Sequence, residues 1–281
     1  MAIDLAQRKA KVIISGRSTD HAHLEAAIRK KSANEDVHFI PMDLLSFKSI
    51  KAFVAQFSSA NDRLDILVNC AGAMLPPFCL SAEGFECQFQ INFLGPHLLT
   101  RSLLPLLRET ALASPEKETR VVNVTCRAFA LAEVLDLTSV RGAECVVEET
   151  STRGAYYTGS KAAFTMASLE LSRRLKDDGV TLNLVHPGVV KSNHGRHLPL
   201  FNNAVFKYTF FPFVWLMTKS PWSGAQTVVF CAVADACKGL TGKYFVDTYE
   251  QQIEGIVADQ DAAAELVDAA DAWIAEGDKT E

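Results

Sequence analysis

The sequence predicts an α/β fold, a doubly wound parallel sheet in one domain spanning 1–281, and three observations carry that reading. Short apolar runs alternate with segments of helical period along most of the chain. The runs are apolar throughout, the pattern of strands covered on both faces. The 281 residues, 48% of them apolar, are enough to bury one large core.

Residues 2–9 read as the last turns of a helix, and Lys11 to Ser15 as a strand. Helical spacing over 20–31 (Leu24, Ile28) leads to a strand reaching Met42. A helix over about 47–58 sets Ile50, Phe53, Val54 and Phe57 on one face. Leu64 to Asn69 is a further strand, ending in Cys70-Ala71-Gly72, and a long helix follows over about 82–111, interrupted near Gly95-Pro96 and Pro105. Val121 to Thr125 is a strand, and a connection of roughly 127–152 precedes a helix that stops at Asp177-Asp178-Gly179. Val180 to Val185 is the next strand, turning at His186-Pro187-Gly188. An apolar loop, a helix over about 221–234, a strand at Lys243 to Val246 and a helix over about 260–275 complete the chain. The last helix aligns Leu266, Ala270 and Trp273 on one stripe, with Asp261, Glu265, Asp268, Asp271 and Glu276 expected on a solvated face.

Composition excludes several classes. A net charge of −5 without a basic block gives no electrostatic footprint for nucleic acid. The seven cysteines lack paired spacing and contain no Cys-x-x-Cys, so free thiols in a reducing compartment are expected rather than disulfides or zinc. No signal pattern opens the chain and no apolar stretch reaches about 18 residues, which points to a cytoplasmic protein, at most peripheral to a membrane.

In a parallel sheet ligands gather beyond the carboxyl ends of the strands, so the residues there are the candidates. Arg17 follows the first strand with no carboxylate until Asp20, which favours a 2′-phosphate and hence NADP over NAD. Asp43 is placed either to bind an adenine amino group or to cap the next helix. Asn69, Ala71 and Gly72 allow close backbone approach to a ribose. Asn92 lies mid-helix, where Asn is intrinsically unfavourable. Ser192, in Pro187-Gly188-Val189-Val190-Lys191-Ser192, is placed to meet a carboxamide. Tyr157 and Lys161 stand four apart on a helix and share a face. An ammonium there is expected to pull the phenol pKa down from about 10 and fit it for proton transfer to a carbonyl or alcohol oxygen.

The order of Asn69-Cys70-Ala71-Gly72, Asn92, Tyr157/Lys161 and His186-Pro187-Gly188 resembles the short-chain dehydrogenase/reductase family, more narrowly its retinol-dehydrogenase-like members. The resemblance runs from residue 2 to about 250 and implies a Rossmann-like fold and NADP(H) as cofactor. By it, Tyr157 is the proton donor or acceptor, Lys161 tunes it and holds the nicotinamide ribose, and Asn92 anchors a water in the relay. Ser192 partners the carboxamide, together with the Pro187, Gly188 and Val190 turn. It also allows a homodimer.

Two departures stand out. The family opens with a strand and a Gly-rich turn that holds the pyrophosphate, whereas this chain opens inside the following helix and contains no Gly-x-Gly anywhere. That strand would lie mid-sheet, between those ending at Ser15 and Asn69, and a domain about 5–15 kcal/mol stable would hardly survive its loss without rearranging. Two explanations fit: an incomplete or spliced form of an active enzyme, expected because the downstream site is largely kept, or a relative that no longer binds dinucleotide and serves as a binding or scaffold protein. Second, Cys126 stands where the family places a Ser that hydrogen-bonds the substrate oxygen, and a thiol is a weak donor. Reduced turnover is the expectation.

The stretch from Val205 to Met217, with Phe210, Phe211, Phe213 and Trp215, reads as a lid over a lipophilic substrate such as a retinoid, steroid or aliphatic aldehyde, as a membrane-dipping surface, or as core. His186, His194 and His197 lie close in sequence without a carboxylate or Cys to complete a metal set, and His97 reads as structural.

Overall fold

The computed structural model describes residues 1–17, 21–142, 145, 150–192 and 218–277, with Thr150 and Ser151 given as backbone only. The helix α1 (Ala2–Gln7) leads to β1 (Val12–Gly16), α2 (His21–Ser32) and β2 (Val37–Pro41). Then come α3 (Phe47–Ala60) and β3 (Ile66–Asn69). A short α4 (Cys87–Phe89) runs through a π-helical stretch (Gln90–Leu94) into α5 (Gly95–Ala113). β4 (Thr119–Val124), α6 (Thr150–Arg174) and β5 (Val180–His186) follow. The chain closes with α7 (Pro221–Val233), β6 (Tyr244–Val246), β7 (Tyr249–Gln251) and α8 (Gln260–Gly277).

Local chemistry sets the helix starts. Ser46 caps α3 by accepting from the Ser49 N–H at 3.2 Å, and Phe47, Ile50, Phe53 and Phe57 form its buried face. Ser220 caps α7 in the same way, with Pro221 in the first turn. Gly179 turns the chain into β5 at φ +69°, and a Cβ there would stand 2.8 Å from the Lys117 carbonyl oxygen.

The predicted α/β fold is present, with two corrections. First, the strands form two sheets rather than one: β1 pairs with β2, and β3-β4-β5-β6-β7 form the other. Between them lies a cavity of about 1020 Å³ lined by residues of both β1 and β3. Second, the larger sheet is not wholly parallel. A hairpin turned by Asp247 and Thr248, both at positive φ, adds β7 antiparallel to β6, a strand too short and polar to be read from apolar runs.

The main core joins α3, α4, α5, α6 and α8 through Phe47, Phe89, Leu103, Met166 and Leu266. Each such fully buried side chain contributes about 1.5–3 kcal/mol. The stripe on α8 faces inward as predicted, but Asp271 does not sit on a solvated face. It binds the buried His97 at 2.8 Å and Arg101 at 2.8 Å. Among the described residues no helix is long and apolar enough to cross a membrane. Val205 to Met217, His194 and His197 lie outside the described residues.

Candidate active site

The candidates converge where β3, β4 and β5 end. Cys126 follows β4, and its Sγ lies 3.2 Å from the Tyr157 Oη of α6. One turn further along α6, the Lys161 Nζ is buried and donates to the Val124 carbonyl oxygen at 3.5 Å. It also lies 5.7 Å over the Phe164 ring. Among the described residues this long bond is all that its three donors make, so the ammonium retains donors for a further acceptor.

The electrostatics differ from expectation. Burial pushes the Tyr157 phenol upward and the adjoining Cys126 thiol adds to it. Burial likewise pushes Lys161 downward, opposed by the Cys126 and Cys70 thiols. A spacing of four residues brings a charge near the phenol, but desolvation is the larger effect on both groups.

Asn92 sits in the π-helical stretch, a distortion that recurs at functional sites. Its Oδ1 accepts from the Ala73 N–H at 2.7 Å, and its Nδ2 donates to the Ala73 carbonyl at 2.9 Å and to Ser160 Oγ at 2.9 Å. Asn92 thus clamps the loop after β3 to α6. Asn69 is committed to the interior as well, donating to Asn123 Oδ1 at 2.8 Å and Thr100 Oγ1 at 3.0 Å. Asn123 in turn donates to Ser168 Oγ at 2.7 Å, so a buried polar ladder ties β3 to β4 and α6.

Arg17, Asp43, Ala71 and Gly72 line the cavity between the sheets. Arg17 Nε is 4.0 Å from Asp43 Oδ1, both side chains being solvent-accessible. Asp43 is not the cap of α3, which is Ser46; its carboxylate instead accepts from the Leu45 N–H at 3.0 Å. Gly188 takes φ +80° after Pro187, and Val190 bridges to Lys219. Gly224 lets α7 sit against that turn, since a Cβ there would fall 2.3 Å from Val190 Cγ2. Ser192 stands exposed beyond the turn.

Two residues near the thiol escaped the sequence reading. Tyr244 of β6 packs edge-on to Phe129 at 5.5 Å, and burial, opposed by Arg127 and aided by Cys126, pushes its phenol up to about 12. Neither Tyr244 nor Arg127 lies in a motif, and only the pairing of β6 with β5 brings Tyr244 here.

Lys161, with donors to spare one turn from Tyr157, offers the chemistry that a nicotinamide ribose would require. The given sequence contains no Gly-x-Gly turn of the kind that cradles a pyrophosphate. Among the described residues no group of three His, Cys, Asp or Glu could hold a metal.

Residues 1–200 match the family described as short chain dehydrogenase. Over 266 residues the chain is 35% identical to retinol dehydrogenase 13 of Mus musculus, covering 94% of this chain and 76% of that protein. It is 38% identical to retinol dehydrogenase 12 of Homo sapiens over 249 residues, 88% of this chain and 72% of that one. Among solved structures it is similar to the RhlG/NADP active-site complex of Pseudomonas aeruginosa, with a TM-score of 0.62, 25% identity and 87% of each chain covered. It is also similar to an uncharacterized protein of Mycobacterium paratuberculosis, with a TM-score of 0.69, 26% identity, and 97% of this chain and 87% of that one covered.

Proposed function

The chain belongs to the short-chain dehydrogenase family, and from that premise we propose that it is an oxidoreductase coupling NADP(H) to a lipophilic alcohol or carbonyl of retinoid, steroid or aldehyde type. The observation that carries the reading is the buried Cys126–Tyr157–Lys161 group at the strand ends. NADP(H), when bound, would supply or accept the hydride. Tyr157 would give its phenolic proton to the substrate oxygen on reduction, a task for which a phenol held in its neutral form is suited. The spare donors of Lys161 would hold the ribose hydroxyls. Cys126, beside the phenol, would touch the same substrate oxygen and orient it only weakly.

Arg17 at the end of β1 supports the phosphorylated cofactor over NAD, and the relatives named as retinol dehydrogenases support a lipophilic substrate. NADPH titration followed by fluorescence tests the cofactor, with retinaldehyde and a medium-chain aldehyde as trial substrates. Saturable binding and turnover that Tyr157→Phe abolishes are the expected result. Absence of NADPH binding up to millimolar would refute it and leave the second reading, a relative that serves as a binding or scaffold protein. The Cys126 thiol, a weak donor beside the phenol, favours that alternative.

A further inference from the structure

Two of the free cysteines face one another across a short hairpin. Leu80 and Glu86 form an antiparallel bridge, flanked by bonds from the Ser81 N–H to Phe85 O at 2.8 Å and from the Cys87 N–H to Cys79 O at 3.0 Å. That register sets Cys79 directly opposite Cys87, with both side chains on one face. Residues paired in this way have Cα atoms about 5.5 Å apart, inside the roughly 4.4–6.8 Å that a disulfide spans. The hairpin is held in place from several sides. Gly84 turns it at φ +82°, and Ser81 Oγ accepts from the Phe85 N–H at 3.1 Å. The Glu86 N–H donates to Val140 O at 2.9 Å, and Glu83 accepts from the Phe47 N–H at 2.7 Å.

The two thiols are not equivalent. Cys79 is exposed, whereas Cys87 is buried. Cys87 Sγ donates to Glu86 Oε1 at 3.4 Å, and the other oxygen of that carboxyl accepts from the Phe89 N–H at 2.9 Å, capping α4. Burial pushes the Glu86 carboxyl upward, which makes it a stronger base than a solvated carboxylate. Burial and the Glu86 charge push the Cys87 thiol upward, and the Cys79 sulfur is near enough to act on it as well. A thiol sheltered and held protonated reacts slowly with a dissolved oxidant, so Cys79 is the one that reacts first.

We propose that Cys79 and Cys87 are a peroxide-sensitive dithiol, in which Cys79 is the sulfur oxidised and Cys87 the one that resolves it to a disulfide. The Cys79 sulfur attacks a peroxide oxygen, the O–O bond breaks, and a sulfenic acid and water result. Cys87 gives its proton to Glu86 and attacks the Cys79 sulfur. The S–S bond forms as the S–O bond breaks, and the departing hydroxide takes that proton and leaves as water. Two thiols lose two electrons, the peroxide gains them, and no NADP(H) takes part. Closing the bridge removes the thiol donor from Glu86 at the cap of α4, which runs on into the turn that carries Asn92, so the oxidation reaches the edge of the candidate site.

The test uses the full chain, reduced and then exposed to hydrogen peroxide at equal concentration. Cleavage after Glu83 and Glu86 puts the two cysteines on separate fragments, which are mapped by mass spectrometry without reductant. A Cys79–Cys87 link that dithiothreitol reopens is the expected product, with tandem fragmentation separating Cys79 from Cys70. The link should form about tenfold faster or more in the folded chain than in urea, the effect of holding the sulfurs together. Cys87→Ser should strand the sulfenic acid and raise dimedone labelling of Cys79 about tenfold or more. Since Cys87 is buried and its variant can fail to fold, Cys79→Ser provides a second reading, in which Cys87 should resist peroxide and stay unlinked. Absence of the link in the folded chain, equal rates in urea, or a link from Cys87 to another cysteine would overturn the assignment. So would oxidation of Cys87 in Cys79→Ser as fast as that of Cys79 in the unaltered chain.

Discussion

On the proposed function, replacing Cys126 by Ser isolates one hydrogen bond beside the Tyr157 hydroxyl. The thiol lies 3.2 Å from the Tyr157 hydroxyl, so a group placed to receive a proton from the phenol also faces this side chain. A neutral hydrogen bond contributes about 0.5–1.5 kcal/mol net, and 1.36 kcal/mol corresponds to a tenfold change in rate. A donor in a dry site aimed at developing charge can reach a hundredfold, but Tyr157 already supplies the first such bond. The expected gain for Cys126→Ser is therefore about tenfold in kcat for carbonyl reduction, with little change in KM. The thiol also acts upward on both Tyr157 and Lys161, so its removal should move both titrations down and bring the alkaline limb of the rate profile to lower pH. Steady-state NADPH oxidation, with and without Tyr157→Phe, measures this. An unchanged kcat at intact cofactor affinity, or an equal gain in the Tyr157→Phe background, would refute the reasoning.

Three further outcomes follow from the geometry. Asn92→Ala removes three bonds and leaves the Ala73 main chain unpartnered, which should cost about 1–3 kcal/mol and speed amide exchange at Ala73. Gly95→Ala sets a Cβ 2.8 Å from the Leu44 carbonyl oxygen. The clash of about 1–3 kcal/mol outweighs the roughly 0.5–1 kcal/mol that Ala brings to a helix, so the melting temperature should fall. For Asp271, burial acts upward but the His97 hydrogen bond and the charges of His97 and Arg101 outweigh it, holding the carboxyl below its usual 3.8. That stabilisation is present above the unfolded-state value and lost as pH falls through the folded one. The urea midpoints of the chain and of Asp271→Asn should differ at neutral pH and converge in acid.

How far the sequence reaches depends on what each residue answers to. Phe53, Phe57 and Leu266 declare their helices because an apolar stripe repeats at a fixed spacing, and Val180 to Val185 declares its strand because it is apolar at every position. The π-helical turn at Asn92 leaves no such trace: the residue reads as an anomaly, and its clamp on Ala73 requires coordinates. The grouping of Cys126, Tyr157 and Lys161 was approached through spacing and family resemblance. The direction of the phenol shift was not legible, because burial is a property of the folded neighbourhood rather than of the pair. Tyr244 arrives through strand pairing, and Asp271 turns inward because a buried imidazole on another helix waits for it.

The division of the sheet also bears on how the molecule comes apart. Ala6, Val12, Ile28 and Val37 form a small core of their own, while Ile13, Ile40 and Met42 pack with the main one. Among the described residues no strand pairing joins β1 and β2 to the larger sheet, so melting of residues 1–41 need not wait for the remainder. That portion is expected to open at a lower cost than the β4–β5 centre, so mild heating or dilute denaturant would admit proteases first at the amino-terminal end.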